Sequence, residues 1–152
     1  MKAEYINPFL ESAKNVIEQV VQIKPATGQP GLKPFAIVDN YIFIQIGING
    51  QMQGHVVFGI SVPVALKMIS AMMGGFIISE IDEIGKSAIS ELGNMISGNA
   101  STILYNQGVH VDITPPIFIN THDSGLAEAK ALTIPLIMEG IGEMDIQVLV
   151  AS

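Results

Sequence analysis

From Tyr41 to Ile48 the chain alternates Ile42, Ile44, Ile46 and Ile48 with Tyr41, Phe43 and Gln45, and Asn49-Gly50 follows at once. A period of two puts the isoleucines on one face of a strand, and Asn-Gly is among the strongest local signals for a hairpin. It leads into a second strand near residues 52–60, rich in Val and Phe. Such a ribbon needs a layer packed against its apolar face.

Helical segments supply that layer. Over residues 8–23, Phe9, Leu10, Ala13, Val16, Ile17, Val20 and Val21 recur at helical spacing. Asn7-Pro8 reads as a cap with proline at the first helical position, and Lys24-Pro25 as the stop. Residues 25–34, with three prolines and two glycines, read as a loop. A short strand is expected over residues 35–39, ended by the Asp39-Asn40 turn signal. Ser61-Val62-Pro63 opens a second helix running through Met73, and Gly74-Gly75 stops it. A third, long helix is expected over about residues 80–107. Strands follow over 109–114, 117–120, 131–138 and 144–150, with Pro135 marking an edge, a bend or a bulge. The order helix, strands, helix, helix, strands, with short turns between neighbours, predicts an α+β domain: an antiparallel sheet with helices packed on it.

At 152 residues the chain is one domain's worth, and 49% apolar against 14% charged residues argues against disorder. Seven Lys plus Arg against fourteen Asp plus Glu give a net charge of −7, so neither nucleic acid nor an anionic membrane is expected as the main partner. Without cysteine there is no disulfide, thiolate metal site or cysteine nucleophile. The first residues lack an apolar run of signal-peptide type, and residues 59–78 are broken by Pro63, Lys67 and Gly74-Gly75. The expectation is a soluble cytoplasmic domain.

Standard enzyme signatures are largely missing. His55, His110 and His122 are far apart in sequence and adjoin no nucleophile motif. Gly47-Ile-Asn-Gly50 and Gly140-Ile-Gly142 match no phosphate loop. His110 and Asp112 could form a ligand pair on one strand face, although a polar pair at a strand start is the plainer reading. Met68, Met72 and Met73 read as packing. The unusual stretch is residues 87–100, Ser-Ala-Ile-Ser-Glu-Leu-Gly-Asn-Met-Ile-Ser-Gly-Asn-Ala. With Glu91 at 0° and about 100° per residue, Ile81, Ala88, Leu92, Met95, Ile96 and Ile103 fall near 40–140°, the expected buried stripe. Ser87, Glu91, Asn94, Gly98 and Ser101 fall at roughly 280–360°, with Ser90 and Ser97 beside them. Asn99 lies on the apolar side, where a hydrogen-bonded structural role is expected. The exposed face is thus stripped of long side chains except Glu91 and Asn94, whose Cβ atoms stand about 5–6 Å apart. A carboxylate can anchor a cation on a partner, and a carboxamide can both donate to and accept from water. Glu-x-x-Asn alone is weak: Glu4-Tyr-Ile-Asn7 repeats it by accident.

The whole 87–100 stretch closely resembles the active helix of the CheX branch of the CheC/CheX/FliY family, bacterial phosphatases of phosphorylated CheY. Pro25-Ala-Thr-Gly-Gln-Pro30, Ala65-Leu-Lys-Met-Ile-Ser-Ala-Met-Met-Gly-Gly75 and His110-Val-Asp-Ile-Thr-Pro-Pro116 look like CheX segments in the same order. The resemblance implies a CheC/CheX-like fold and a phosphatase acting on the phospho-aspartate of a CheY-like response regulator. Asn94 would orient the attacking water and Glu91 would contact the regulator's active-site lysine. Magnesium would sit on the regulator and no cofactor on this chain. CheX proteins pair through their sheets, so a homodimer is implied. CheC-type relatives carry a second copy of the motif on the first helix. Here Glu11-Ser-Ala-Lys14 stands there, with lysine in place of asparagine, and a single active centre is expected. The alternative is a non-catalytic adaptor that binds a receiver domain or another signalling or flagellar protein.

Overall fold

The computed structural model describes residues 3–35, 38–119 and 130–150. The elements run α1 (Ala3–Val20), β1 (Ala26–Thr27), β2 (Gly31–Pro34), β3 (Tyr41–Gly50), β4 (Gly54–Ser61), α2 (Val62–Met72), α3 (Glu83–Asn106), β5 (Val111–Ile113), β6 (Ile117–Ile119), β7 (Lys130–Met138) and β8 (Gly142–Val150). All pairings are antiparallel, in the order β1-β7-β8-β4-β3-β5, with β2 also on β7 and β6 also on β3. The α+β reading is correct.

Strand alternation sorts the sheet into two faces. Ile44, Ile46 and Ile48 of β3, Val56, Phe58 and Ile60 of β4, and Met144, Ile146 and Val148 of β8 share one core with Phe9, Ile17, Met68, Ile89, Leu92 and Ile96 of the helices. All three helices therefore cover the same face. The opposite parity forms a smaller cluster, Phe35, Phe43, Val57, Ala131 and Leu149, that contains no helix residue.

Several boundaries differ from expectation for identifiable reasons. Pro8 lies inside α1, not at its start; proline forfeits one bond to a preceding carbonyl but does not end the helix this near its beginning. Gln22, at φ 65°, turns the chain out after Val20, before Lys24-Pro25 is reached. Residues 25–34 are not only a loop, because β1 and β2 pair with β7. Phe35, which follows β2, and Val38 lie in no strand; residues 36 and 37 lie outside the described residues, and Asp39-Asn40 is a turn as expected.

The β3–β4 hairpin is present, but its turn is displaced. Ile48 pairs with Gly54, so residues 49–53 make the connection, while Asn49 and Gly50 pair with Asp112 and Val111 of β5. Gly50 has φ 116°, and a Cβ there would lie 2.7 Å from the His110 carbonyl. The glycine admits the neighbouring strand. Pro135 behaves as its chemistry requires: its carbonyl accepts from Gly28 N–H at 2.8 Å, on the side where β1 and β2 leave a break. Its missing N–H faces that break.

Candidate functional site

α3 carries Glu91 and Asn94, the candidate pair. Asp82 caps it, its carboxylate accepting from Gly85 N–H at 2.8 Å, and Glu83 lies in the first turn. Both suit the electropositive helix start. The 24-residue helix buries Gly85, Ile89, Leu92, Gly93, Ile96, Ser97, Ala100 and Leu104. At about 100° per residue this arc spans roughly 100–240° from Glu91.

The buried stripe is thus rotated from the expected one. Ala88 and Met95 are half-buried margins, Ile103 is half-buried within the arc, and Ser97, expected beside the open face, is fully buried. The reason is closeness of packing. At Gly93 an added Cβ would lie 3.6 Å from Ile44 Cγ2 and 3.8 Å from Ile46 Cδ1, so the helix rests directly on β3. The buried Ser12 hydroxyl of α1 donates to the Ile96 carbonyl, fastening α1 to α3 two residues beyond Asn94.

Glu91 and Asn94 are both exposed, one helical turn apart, on the side away from this packing. Ser87 and Gly98 flank them and are exposed, while Ser90 and Ser101 are half-buried. Among the described residues, no hydrogen bond or ion pair occupies either functional group.

The larger cavities lie elsewhere. A cavity of about 750 Å³ between α1 and α3 is lined by Asn15, Val16, Glu18, Gln19, Met95 and Asn99. Asn99 is therefore a half-buried groove wall, and among the described residues its side chain makes no hydrogen bond of the structural kind expected for it. Neither Glu91 nor Asn94 lines this cavity.

The other candidates separate in space. His55 pairs with Gln45 across the hairpin, 3.2 Å from its Nδ1 to Gln45 Nε2. His110 packs edge-on against Tyr105 at 4.6 Å between ring centroids, and its backbone N–H donates to Gln51 Oε1. His110 and Asp112 share a cavity wall with Ser101 and Tyr105. His122 lies outside the described residues. Among the described residues no group of three or more His, Asp or Glu is placed to hold a metal. On α1, Glu11 is exposed and Lys14 half-buried. Sequence reading did not single out Ile84 and Tyr105, which are exposed on the α3 face that carries Glu91. Their spacing from Glu91 was the available signal.

Residues 42–139 match the family model described as Chemotaxis phosphatase CheX. The chain is similar to the CheY-P phosphatase CheX of Thermotoga maritima, 38% identical over 123 residues, 81% of this chain and 79% of that protein. It also resembles the crystal structure of a CheX–CheY–BeF3–Mg2+ complex from Borrelia burgdorferi, with TM-score 0.80 and 26% identity over 97% of this chain and 98% of that one. A CheC-like superfamily protein from Shewanella sp. PV-4 gives TM-score 0.85 at 25% identity, with 100% of both chains covered.

Proposed function

The chain belongs to the CheX family of chemotaxis phosphatases, and from that membership we propose that it dephosphorylates the phospho-aspartate of a CheY-like response regulator. The observation that carries the reading is the exposed Glu91–Asn94 pair on the packed helix α3. A flexible loop would have to be ordered at the moment of reaction, whereas this helix is held by its buried face before the partner arrives.

In the proposed mechanism the Glu91 carboxylate pairs with the regulator's active-site lysine ammonium and fixes the register of the two proteins. The Asn94 carboxamide enters the site, and its oxygen accepts a hydrogen bond from water. Water oxygen attacks phosphorus, the bond from phosphorus to the aspartyl oxygen breaks, and the products are inorganic phosphate and a free aspartate. No group on this chain forms a covalent intermediate. Magnesium belongs to the regulator, where it neutralises phosphoryl charge. The Borrelia complex, which contains CheX, CheY, BeF3 and Mg2+, supports that division of labour.

Two further parts of the proposal concern assembly and place. We infer a homodimer formed through the sheet; Tyr41, Ile117, Phe118 and Ile137, all strand residues, are large apolar side chains left exposed. The site of action is proposed to be the cytoplasm, where a receiver domain would be met, and no helix among the described residues is long and apolar enough to cross a membrane.

The test is to add the protein to a phosphorylated CheY receiver domain with magnesium and follow the phospho-aspartate. Accelerated loss is expected. Binding of the receiver with no change in phosphate lifetime would overturn the phosphatase reading and establish the adaptor.

A further inference from the structure

On α3 four residues stand at intervals of seven: Ile84, Glu91, Gly98 and Tyr105, and all four are exposed. Ile84 is 65% and Tyr105 62% accessible, unusual on a helix whose other large apolar residues are buried or half-buried. A seven-residue interval drifts by only about 20° on a straight helix, so the four form one row, about 32 Å from end to end. That is roughly the width of a small domain.

Gly98 is the telling member. A glycine inside a helix is destabilising relative to alanine. Here a Cβ would meet nothing within 4 Å and the residue does not adopt a positive φ, so neither packing nor backbone geometry within the chain calls for it. At the Tyr105 end, the ring is held edge-on by His110, beside a cavity of about 260 Å³ whose walls include Asp112.

We infer that Ile84 and Tyr105 are the affinity anchors of the receiver-docking surface, and that Gly98 between them is where a receiver helix laid along α3 comes nearest. The inference rests on the phosphatase reading above and extends the Glu91–Asn94 contact to the length of the helix. A row at this spacing is what a second helix follows when it packs at a shallow angle. The charges select the occupant. The row and the cavity beside it carry the carboxylates of Glu91 and Asp112 and no Lys or Arg. A second copy of α3 on this row would bury Glu91 without a cation, which is costly. A receiver presenting its lysine satisfies Glu91, and a basic side chain suits the cavity at Asp112.

The experiment titrates a CheY receiver domain loaded with beryllofluoride and magnesium into the full chain and its variants, alongside thermal melts. Gly98→Leu and the double variant Ile84→Ser with Tyr105→Ser are each expected to weaken binding at least tenfold without lowering the melting temperature. Gly98→Ala melts no lower than wild type and binds less tightly, which keeps the test open if the leucine variant does not fold. Unchanged affinity in these variants, with wild type binding, overturns the anchor assignment alone. Loss of a homodimer with receiver affinity unchanged assigns the row to a second copy and overturns it as well. A wild type that does not bind the loaded receiver removes the reading on which the inference rests.

Discussion

The Ser12 hydroxyl on α1 donates to the Ile96 carbonyl on α3, both inside the core and 84 residues apart in sequence. This bond joins the first helix to the helix that carries Glu91 and Asn94. The adjacent Ser97 is equally buried, yet its Oγ has no partner among the described residues. The two serines should respond oppositely to alanine. Ser12→Ala is expected to lower stability by about 1 kcal/mol, the usual net worth of such a bond. Ser97→Ala, which removes an unpaired buried hydroxyl, should leave stability unchanged or raise it by up to about 1 kcal/mol. Urea denaturation monitored by circular dichroism checks both.

Gly50 combines a φ of 116° with a Cβ position 2.7 Å from the His110 carbonyl. Gly50→Ala should therefore cost about 1–3 kcal/mol from backbone strain, with the clash added to it. Gly98→Ala, on a helix with open space around it, should cost nothing. Melting temperatures of the two variants separate a glycine required by the fold from one the fold does not need.

Asp145 on β8 is half-buried, and that desolvation raises its pKa above the ordinary carboxylate range; Glu143 pushes it further up, and Lys33 partly offsets the rise. The native state thus binds the proton more tightly than the unfolded chain. Its contribution favours folding below the unfolded value and is lost as pH rises through the folded one. Asp145→Asn should be more stable than wild type at neutral pH, and that advantage should shrink as the pH falls through the raised folded value and be gone below about 4. Denaturant titrations from acid to neutral pH measure it.

Glu91 is proposed to hold the regulator's lysine and to take no part in handling water. Glu91→Ala should weaken receiver binding about tenfold, the loss of one charge-assisted contact, with turnover at saturation changed much less. Steady-state kinetics with varied phosphorylated receiver separate KM from kcat.

The fold was legible wherever local periodicity and burial agree. Ile42 to Ile48 alternate as they pack, Ser61 and Pro63 start α2, and Gly74-Gly75 end it with φ of 80° and 93°. Legibility failed where packing is close. Gly85, Gly93, Ser97 and Ala100 form much of the buried side of α3, and such small residues carry almost no hydrophobic signal. The expected stripe therefore lies too near Ala88 and Met95, both half-buried. β1 and β2 escaped notice because their partner, β7, lies about a hundred residues away, and proline and glycine conceal an edge strand that needs few hydrogen bonds. The exposure of Glu91 and Asn94 was legible because their neighbours are bare. The exposure of Ile84 and Tyr105 was not, since an isolated isoleucine or tyrosine is assigned by default to the core.

Asn94 is proposed to position water while leaving the docking of the two proteins to other residues. The most direct test of this role is the single-turnover decay of a phosphorylated CheY receiver with magnesium, in saturating wild-type or Asn94→Ala protein. The expected result is a loss of the acceleration by a factor on the order of 10²-fold or more, with affinity for the beryllofluoride-loaded receiver unchanged. An Asn94→Ala protein that speeds decay as wild type does would contradict it.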